Sequence, residues 1–536
     1  MKKGFIILYI LLSQIYLIGS NYQIITQVKL KKADQIYTFN HIFWAHDYDL
    51  YLTAVTQGKN GSLTYRDSYT TETTKPGIFY IYYIFIGKLA DLFGISGIFA
   101  YHLVRIISQE LYLLVLLLLS IELLGFYWGT LSSIIALTAT ISPSVFFTRP
   151  YEVGTFQPWW VGFDALERLN TLPHYLGGYV LLFTGLIFLF RYLKTHKIRF
   201  SVFGSVAFFA AGTIFPAVLT PIGLALPLAL IVKILIHFIK LKRIDIKKIT
   251  FPPGLLLIII SALAAYLIMS WQESQGFPWN IWRDWNISRW NRYELFFDRN
   301  SLFLFGLLPV IGLFSLRSIL KSKSIGLIFI ALWAYMPYLL LVSADILRLP
   351  KLRLFEDAHF IPFALLTGYT FSNLRLNNHL KISAITLMLS ISIFTSYGLF
   401  TRKSDFVAKN YHPDLFYFSS DENKLLAYIQ KNVPSRSVFL SDQRMGLLFP
   451  ALTSATSYFA HISLTMDFLN KRDKVIAFYS TEYSEEEAEK FVFFNKINYI
   501  YLGKDEQKYG YSFLPFNFLK PVYSNPDGIL YRVIKI

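Results

Sequence analysis

Long apolar runs separated by short basic connectors narrow most sharply what this chain can fold into. They lie at about 4–19, 98–124, 128–147, 173–190, 200–214, 216–239, 250–270, 301–316, 324–343, 358–374 and 382–400. Each approaches the roughly 20 residues with which an α-helix crosses a bilayer core, where every backbone polar group must be satisfied internally. The expectation is a mostly α, polytopic membrane helix bundle of about eleven transmembrane helices. Composition agrees: 54% of residues are hydrophobic and 16% are charged, against roughly 25% charged in an ordinary soluble chain. Cysteine is absent, which excludes disulfides, thiolate metal sites and cysteine nucleophiles.

The net charge of +17 follows the spans. Alternating them from a cytoplasmic start leaves inside the runs Lys2 and Lys3, then Arg191, Lys194, Lys197 and Arg199, then Lys240, Lys242, Arg243, Lys247 and Lys248. Arg317, Lys321, Lys323, Arg375 and Lys381 complete the set, with Asp245 as the only acid among them. A nucleic-acid binder would gather such an excess on one face, so no nucleic-acid partner is expected; membrane lipids are. The segment 76–93 (PGIFYIYYIFIGKLADLF) is apolar enough to span, yet a crossing there would put every later basic run outside. It is therefore expected as an interfacial or re-entrant helix on the outer side. The N-terminus is then cytoplasmic, the protein sits in the cytoplasmic membrane of a bacterium, and the C-terminal part is external.

Two domains are expected. Residues 1–400 form the transmembrane part, with a first external loop at 21–97, and 401–536 form a small external α/β domain. The last 136 residues hold 17 Lys+Arg and 15 Asp+Glu, as a water-exposed domain should. Helix-like stretches at 422–432, 465–479 and 485–495 alternate there with strand-like runs at 437–440, 498–502 and 530–534.

Chemistry concentrates in the outer loops. His46-Asp47-Tyr48-Asp49 opens a segment in which, if extended, both acids point to one side and share a divalent cation or a proton. The structural alternative makes Asp47 the N-cap of a helix running to about Gln57, with Asp49 in its first turn. Arg348, Lys351 and Arg353, with Arg289 and Arg292, are outer basic residues that topology does not require, so they suit a phosphate or snorkel to lipid headgroups. Glu152, Asp164 and Glu167 read first as solvated loop charges and second as a further acid. His174 opens a span as a phosphate ligand or an interfacial residue, and Trp271, Trp279, Trp282, Trp285 and Trp290 suit an aromatic belt or sugar stacking.

The stretch HDYDLYLTAVTQGKNGSLTYRDSYTTETTKPGIFYIYYIFIGKLADLFGIS resembles the first external loop of GT-C fold membrane glycosyltransferases, the superfamily of lipid-A aminoarabinose and protein O-mannosyl transferases. Leu172-Pro173-His174 at the end of the second loop fits the same group, as does FAHISLTMDFLNKRDKVIAFYS followed by INYIYLG and ILYRV. The proline pair of better-known members is reduced to Lys75-Pro76. The resemblance implies transfer of a sugar from a polyprenyl-phosphate donor to a lipid, glycan or protein acceptor on the outer face, usually with inversion. It implies Asp47 as the acid serving as base or metal ligand, and Glu72 as the Glu before the proline. Asp49 extends Asp47 into a DxD pair for a divalent cation, Mg or Mn. Arg353 is favoured for the donor phosphate, with Lys351, Arg348, Arg292 and His174 beside it. The tail is expected to shape the acceptor side without supplying an essential acid or base. A glycolipid transporter or flippase is the rival class. It predicts ionisable or helix-breaking residues in mid-span at matching places in two halves, whereas the mid-span charges are few, Arg105 and Glu110 in the second span.

Overall fold

The structure, a computed structural model, describes residues 2–42, 45–140, 162–241, 253–281, 305–322, 324–347, 359–410, 416–480 and 482–534. Each apolar run that falls on these residues forms a helix. Among the described residues, six helices are long and apolar enough to cross a membrane: Lys2–Ser20, Gly97–Leu124, Pro173–Thr195, Pro216–Ile236, Pro253–Glu273 and Asn378–Lys409. Shorter apolar helices occupy Phe126–Thr138, Ile198–Ile214 and Ile325–Leu340. The chain divides into two compact units.

The first unit comprises Met1–Gln23, Arg105–Trp271 and Trp282–Lys409 and holds most of the span-length helices. Its core is one continuous apolar cluster in which Leu186, Phe208, Ile222, Leu255, Phe329 and Phe363 are fully buried. Small residues bring these helices close: a side chain at Gly185 would overlap the ring of Phe208. Lipid tails are as apolar as leucine, so such close packing, together with buried polar contacts, holds membrane helices together.

The second unit comprises Ile24–Val104, Gln272–Ile281 and Asn410–Ile536, so the first loop and the tail build one body. A two-stranded sheet pairs β1 (Gln35–Tyr37) antiparallel with β2 (Tyr417–Ser419). A five-stranded sheet has the order β4 (Thr456–Ser457), β3 (Val438–Leu440), β5 (Tyr499–Gly503), β7 (Gly528–Val533), β6 (Leu519–Asn525). Its β4–β3–β5 half is parallel and its β5–β7–β6 half antiparallel. The turn between β6 and β7 is fixed by Asn525, whose Oδ1 accepts from the amides of Asp527 and Gly528 at 3.0 and 3.1 Å.

Two helices of the first loop, α1 (Ala45–Lys59) and α2 (Ile81–Leu92), pack in near-backbone contact. A Cβ at Gly87 would overlap the Val55 carbonyl, and one at Gly58 would overlap the Ile84 carbonyl. At 12 residues α2 is roughly 18 Å long, well short of the roughly 30 Å hydrocarbon core. Its interlock with α1 carries a prediction. Gly87→Ala should lower the melting temperature of the detergent-solubilised chain by the equivalent of about 1–3 kcal/mol, because backbone rather than a flexible side chain must give way. An unchanged melting curve would show that the two helices can part.

The tail helices α3 (Ser420–Asn432), α4 (Gln443–Leu452), α5 (Phe468–Tyr479) and α6 (Glu485–Phe494) flank the sheet. Helices α3 and α6 begin with full capping boxes, at Ser419/Glu422 and Ser484/Glu487. Helix α1 rests on α4, with Thr56 Oγ1 donating to the Ala451 carbonyl at 2.6 Å.

Candidate active site

Helix α1 positions the two leading acids. Asp47 stands in its first turn, where a carboxylate is favoured by the exposed amides of the helix N-terminus, and its side chain is 32% exposed. Asp49 is buried, and burial pushes its carboxyl up to about 8. The extended reading of this segment is corrected here. Residues two apart on a helix diverge by roughly 200°, so the acids do not share a side. The helix also starts at Ala45, which puts Asp47 inside the first turn rather than at the N-cap.

Asp47 faces the tail. Its Oδ1 lies 3.4 Å from Nε2 of His461, whose side chain is 2% exposed. The His461 ring packs 5.7 Å from that of Tyr69, and the Tyr69 hydroxyl shares a 2.6 Å hydrogen bond with Thr53 of α1. Nothing local in the sequence pairs positions 47 and 461. The one signal was that His461 lies inside the FAHISLTMDF stretch that carried the resemblance.

Glu72 is held differently. Lys471 of α5 donates to its Oε2 at 2.7 Å and to Thr70 Oγ1 at 3.1 Å. Burial alone would raise Glu72, yet the hydrogen bonds and charge of Lys471 and the Thr70 hydroxyl keep it below the ordinary glutamate value. Burial draws Lys471 below the ordinary lysine value even with Glu72 beside it. Asp67 is buried and pushed up to about 8 by burial, against the pull of the Tyr69 backbone N–H, which donates to its Oδ1 at 2.9 Å. Trp279 closes the floor of the loop, donating Nε1–H to the Lys75 carbonyl at 3.2 Å, and Gly77 leaves room for its ring.

Two such raised acids make stability depend on pH. Asp49 and Asp67 stay protonated in the folded chain up to about 8, while an unfolded aspartate ionises near 4. The stabilisation is thus complete below about 4 and is lost as pH climbs to about 8, at up to about 1.4 kcal/mol per pH unit for each group. Glu506, raised by burial to about 7, adds a slope of the same sign that ends sooner. The melting temperature is therefore expected to fall between pH 4 and 8, and the double variant Asp49→Asn/Asp67→Asn to show a flatter fall. Parallel curves for the two proteins would refute it.

A cavity of about 320 Å³ in this unit is lined by His46 and Asp49 of α1, by Thr38, and by Asp442, Arg444, Asp505 and Tyr509 among others. Arg444 is fixed by Glu422 and by Asp505, the latter at 2.7 Å from Nε. For a divalent cation the fit is poor. Asp47 and Asp49 diverge along α1, and among the described residues no three His, Asp or Glu gather to hold an ion.

The remaining candidates separate. Arg289, Arg292, Arg348, Lys351, Arg353 and Glu152 lie outside the described residues, as do Trp282, Trp285 and Trp290. His174 sits in the first turn of Pro173–Thr195, edge-on to the ring of Tyr175 at 4.5 Å and to that of Phe215 at 5.9 Å. Asp164 and Glu167 are not solvated loop charges. Both are buried in the first unit on Lys403, with Nζ 2.6 Å from Asp164 and 2.9 Å from Glu167.

No protein-family model matches the sequence, and no curated protein matches it either. Solved structures do. The oligosaccharyltransferase of Archaeoglobus fulgidus, tethered with an acceptor peptide, is 14% identical with a TM-score of 0.51, over 92% of this chain and 69% of that one. ArnT from Cupriavidus metallidurans, bound to undecaprenyl phosphate, is 10% identical with a TM-score of 0.51, over 98% of each chain. The arabinofuranosyltransferase AftD from Mycobacteria is 12% identical with a TM-score of 0.50, over 98% of this chain and 40% of that one. At such identities the likeness is one of fold, and it agrees with the resemblance read from the first loop and the tail. The chain is a multi-pass membrane protein with the GT-C fold of these glycosyltransferases.

Proposed function

We propose that the chain is an integral membrane glycosyltransferase. It moves a sugar from a polyprenyl-phosphate donor to a lipid, glycan or protein acceptor on the outer face of the membrane, with inversion. The observation that carries the reading is a half-buried carboxylate, Asp47, at the start of a first-loop helix in a chain of this fold. An acceptor hydroxyl is a weak nucleophile until a carboxylate takes its proton. Asp47 is assigned as that base. Asp49, protonated and beside the cavity, is assigned to donate a hydrogen bond to a substrate oxygen, and Glu72 to hold the loop through Lys471. The leaving phosphate needs cations, for which Arg353 is favoured, then Lys351, Arg348, Arg292 and His174. Residues 1–400 are assigned the membrane part and 401–536 the acceptor side. The N-terminus is assigned to the cytoplasm, an orientation that reporter fusions after Asn378 and after Tyr411 would check.

The test is the purified full chain in liposomes, given undecaprenyl-phosphate-linked radiolabelled sugars with envelope lipids, glycans and proteins as acceptors. Label should pass from donor to acceptor, and only with the chain present. Label that crosses the bilayer still attached to its carrier would instead make the protein a flippase.

A further inference from the structure

The acid assigned as base is not aimed by its own helix alone. His461 reaches it from the tail, and the surroundings of that histidine fix which nitrogen carries the proton. The Ser463 amide donates to Nδ1 at 3.1 Å, so Nδ1 presents its lone pair and the ring proton sits on Nε2. Nε2 is the nitrogen 3.4 Å from Asp47 Oδ1.

The ring is held in place by a closed circuit of bonds. Behind His461 the chain turns tightly, the amide of Thr465 donating to the His461 carbonyl at 2.8 Å. The Thr465 hydroxyl accepts from the Ala460 amide at 3.0 Å and donates to the Tyr69 carbonyl at 2.8 Å. Tyr69 packs on the histidine ring and bonds through its hydroxyl to Thr53, on the helix that carries Asp47. Helix, loop and tail therefore meet at one carboxylate.

We infer that His461 is a positioning residue for the transfer step proposed above: its Nε2–H engages Asp47 Oδ1 and leaves Oδ2 to receive the acceptor's proton. The inference rests on that reading of Asp47. In the step, the acceptor O–H proton passes to Asp47 Oδ2 as the acceptor oxygen bonds the anomeric carbon. The bond from that carbon to the phosphate oxygen breaks, and its electron pair leaves with the polyprenyl phosphate. His461 keeps its proton throughout, so the tail supplies the aim of the carboxylate and not the acid or base. A separation of 3.4 Å is longer than a closed hydrogen bond, and such contacts tighten when substrate enters.

The experiment compares His461→Ala with His461→Gln, whose amide N–H can reach Asp47. In the liposome assay His461→Ala should lower kcat about tenfold or more with KM for donor and acceptor unchanged. His461→Gln should recover most of the loss. Melting of Asp47→Ala, His461→Ala and the double variant supplies a readout free of substrate, with the double variant losing less than the sum of the singles. A His461→Gln as slow as His461→Ala, or strictly additive melting shifts, would overturn the inference. If wild type transfers no sugar, the functional reading fails, and the melting cycle still decides whether position 461 holds position 47.

Discussion

Asp47→Asn is expected to lower sugar transfer by about 10² to 10⁴-fold, the range a positioned proton acceptor contributes, while the protein melts near the wild-type temperature. The substitution keeps the shape of the side chain and an oxygen for His461 to face, so the pair at 3.4 Å is not emptied. It removes the charge from the first turn of α1, which costs about 0.3–1 kcal/mol where the side chain is partly in water. The two effects differ by enough to be told apart on one variant, since about 1.4 kcal/mol is a factor of ten in rate. Transfer assays with melting curves on the same preparation make the comparison. Near-normal transfer would leave Asp47 with nothing more than its place at the helix end. Loss of transfer together with a collapse in melting temperature would assign it to the fold.

The membrane helices were legible because a bilayer leaves few options for a 20-residue apolar run, and run after run begins and ends close to where hydropathy placed it. Tail helices were legible for another reason: Ser484 and Glu487 announce α6 by their spacing alone. Where the reading failed, it failed on long-range contact. Helix α1 shows no amphipathic period because Tyr48 through Val55 are buried on every side, so the choice between extended and helical backbone could not be made from pattern. Strand β6 hid behind Pro521, which is tolerated where it pairs with β7 at a register shift. β1 and β2 are three residues each and become strands by pairing with one another across nearly 400 residues of chain. Lys471 lies in a helix-like stretch of the tail and is buried on Glu72, which no spacing within α5 could disclose.

The same blindness to distance makes Lys403 the site of the largest stability effect expected. Asp164 and Glu167, expected as solvated loop charges, meet Lys403 of the helix Asn378–Lys409 in the first unit, with the lysine side chain fully buried. Three of its four carboxylate oxygens accept hydrogen bonds, and the fourth, Asp164 Oδ2, rests on the Lys403 ammonium. Asp164 Oδ1 caps the Leu166 amide at 2.8 Å, while Tyr22 donates to Glu167 Oε1 at 2.7 Å and Asn170 to Oε2 at 3.2 Å. Lys403→Ala leaves two carboxylates there without their cation, and losing one partner of a buried pair typically costs about 3–5 kcal/mol. Burial already holds Asp164 above the ordinary aspartate value against the pull of Lys403, so without that pull the acids will take up protons. The folded variant then binds protons that its unfolded chain releases above about 4, and its deficit relative to wild type should shrink toward pH 4 and widen toward pH 8. Neutralising all three positions together, as Lys403→Met/Asp164→Asn/Glu167→Gln, should recover much of the loss, because no charge remains to be buried. Thermal unfolding of the full chain in lipid nanodiscs at pH 5 and pH 8 distinguishes these outcomes. A Lys403→Ala variant within about 1 kcal/mol of wild type at both values would mean that the three residues are solvated after all, as exposed pairs of that strength are.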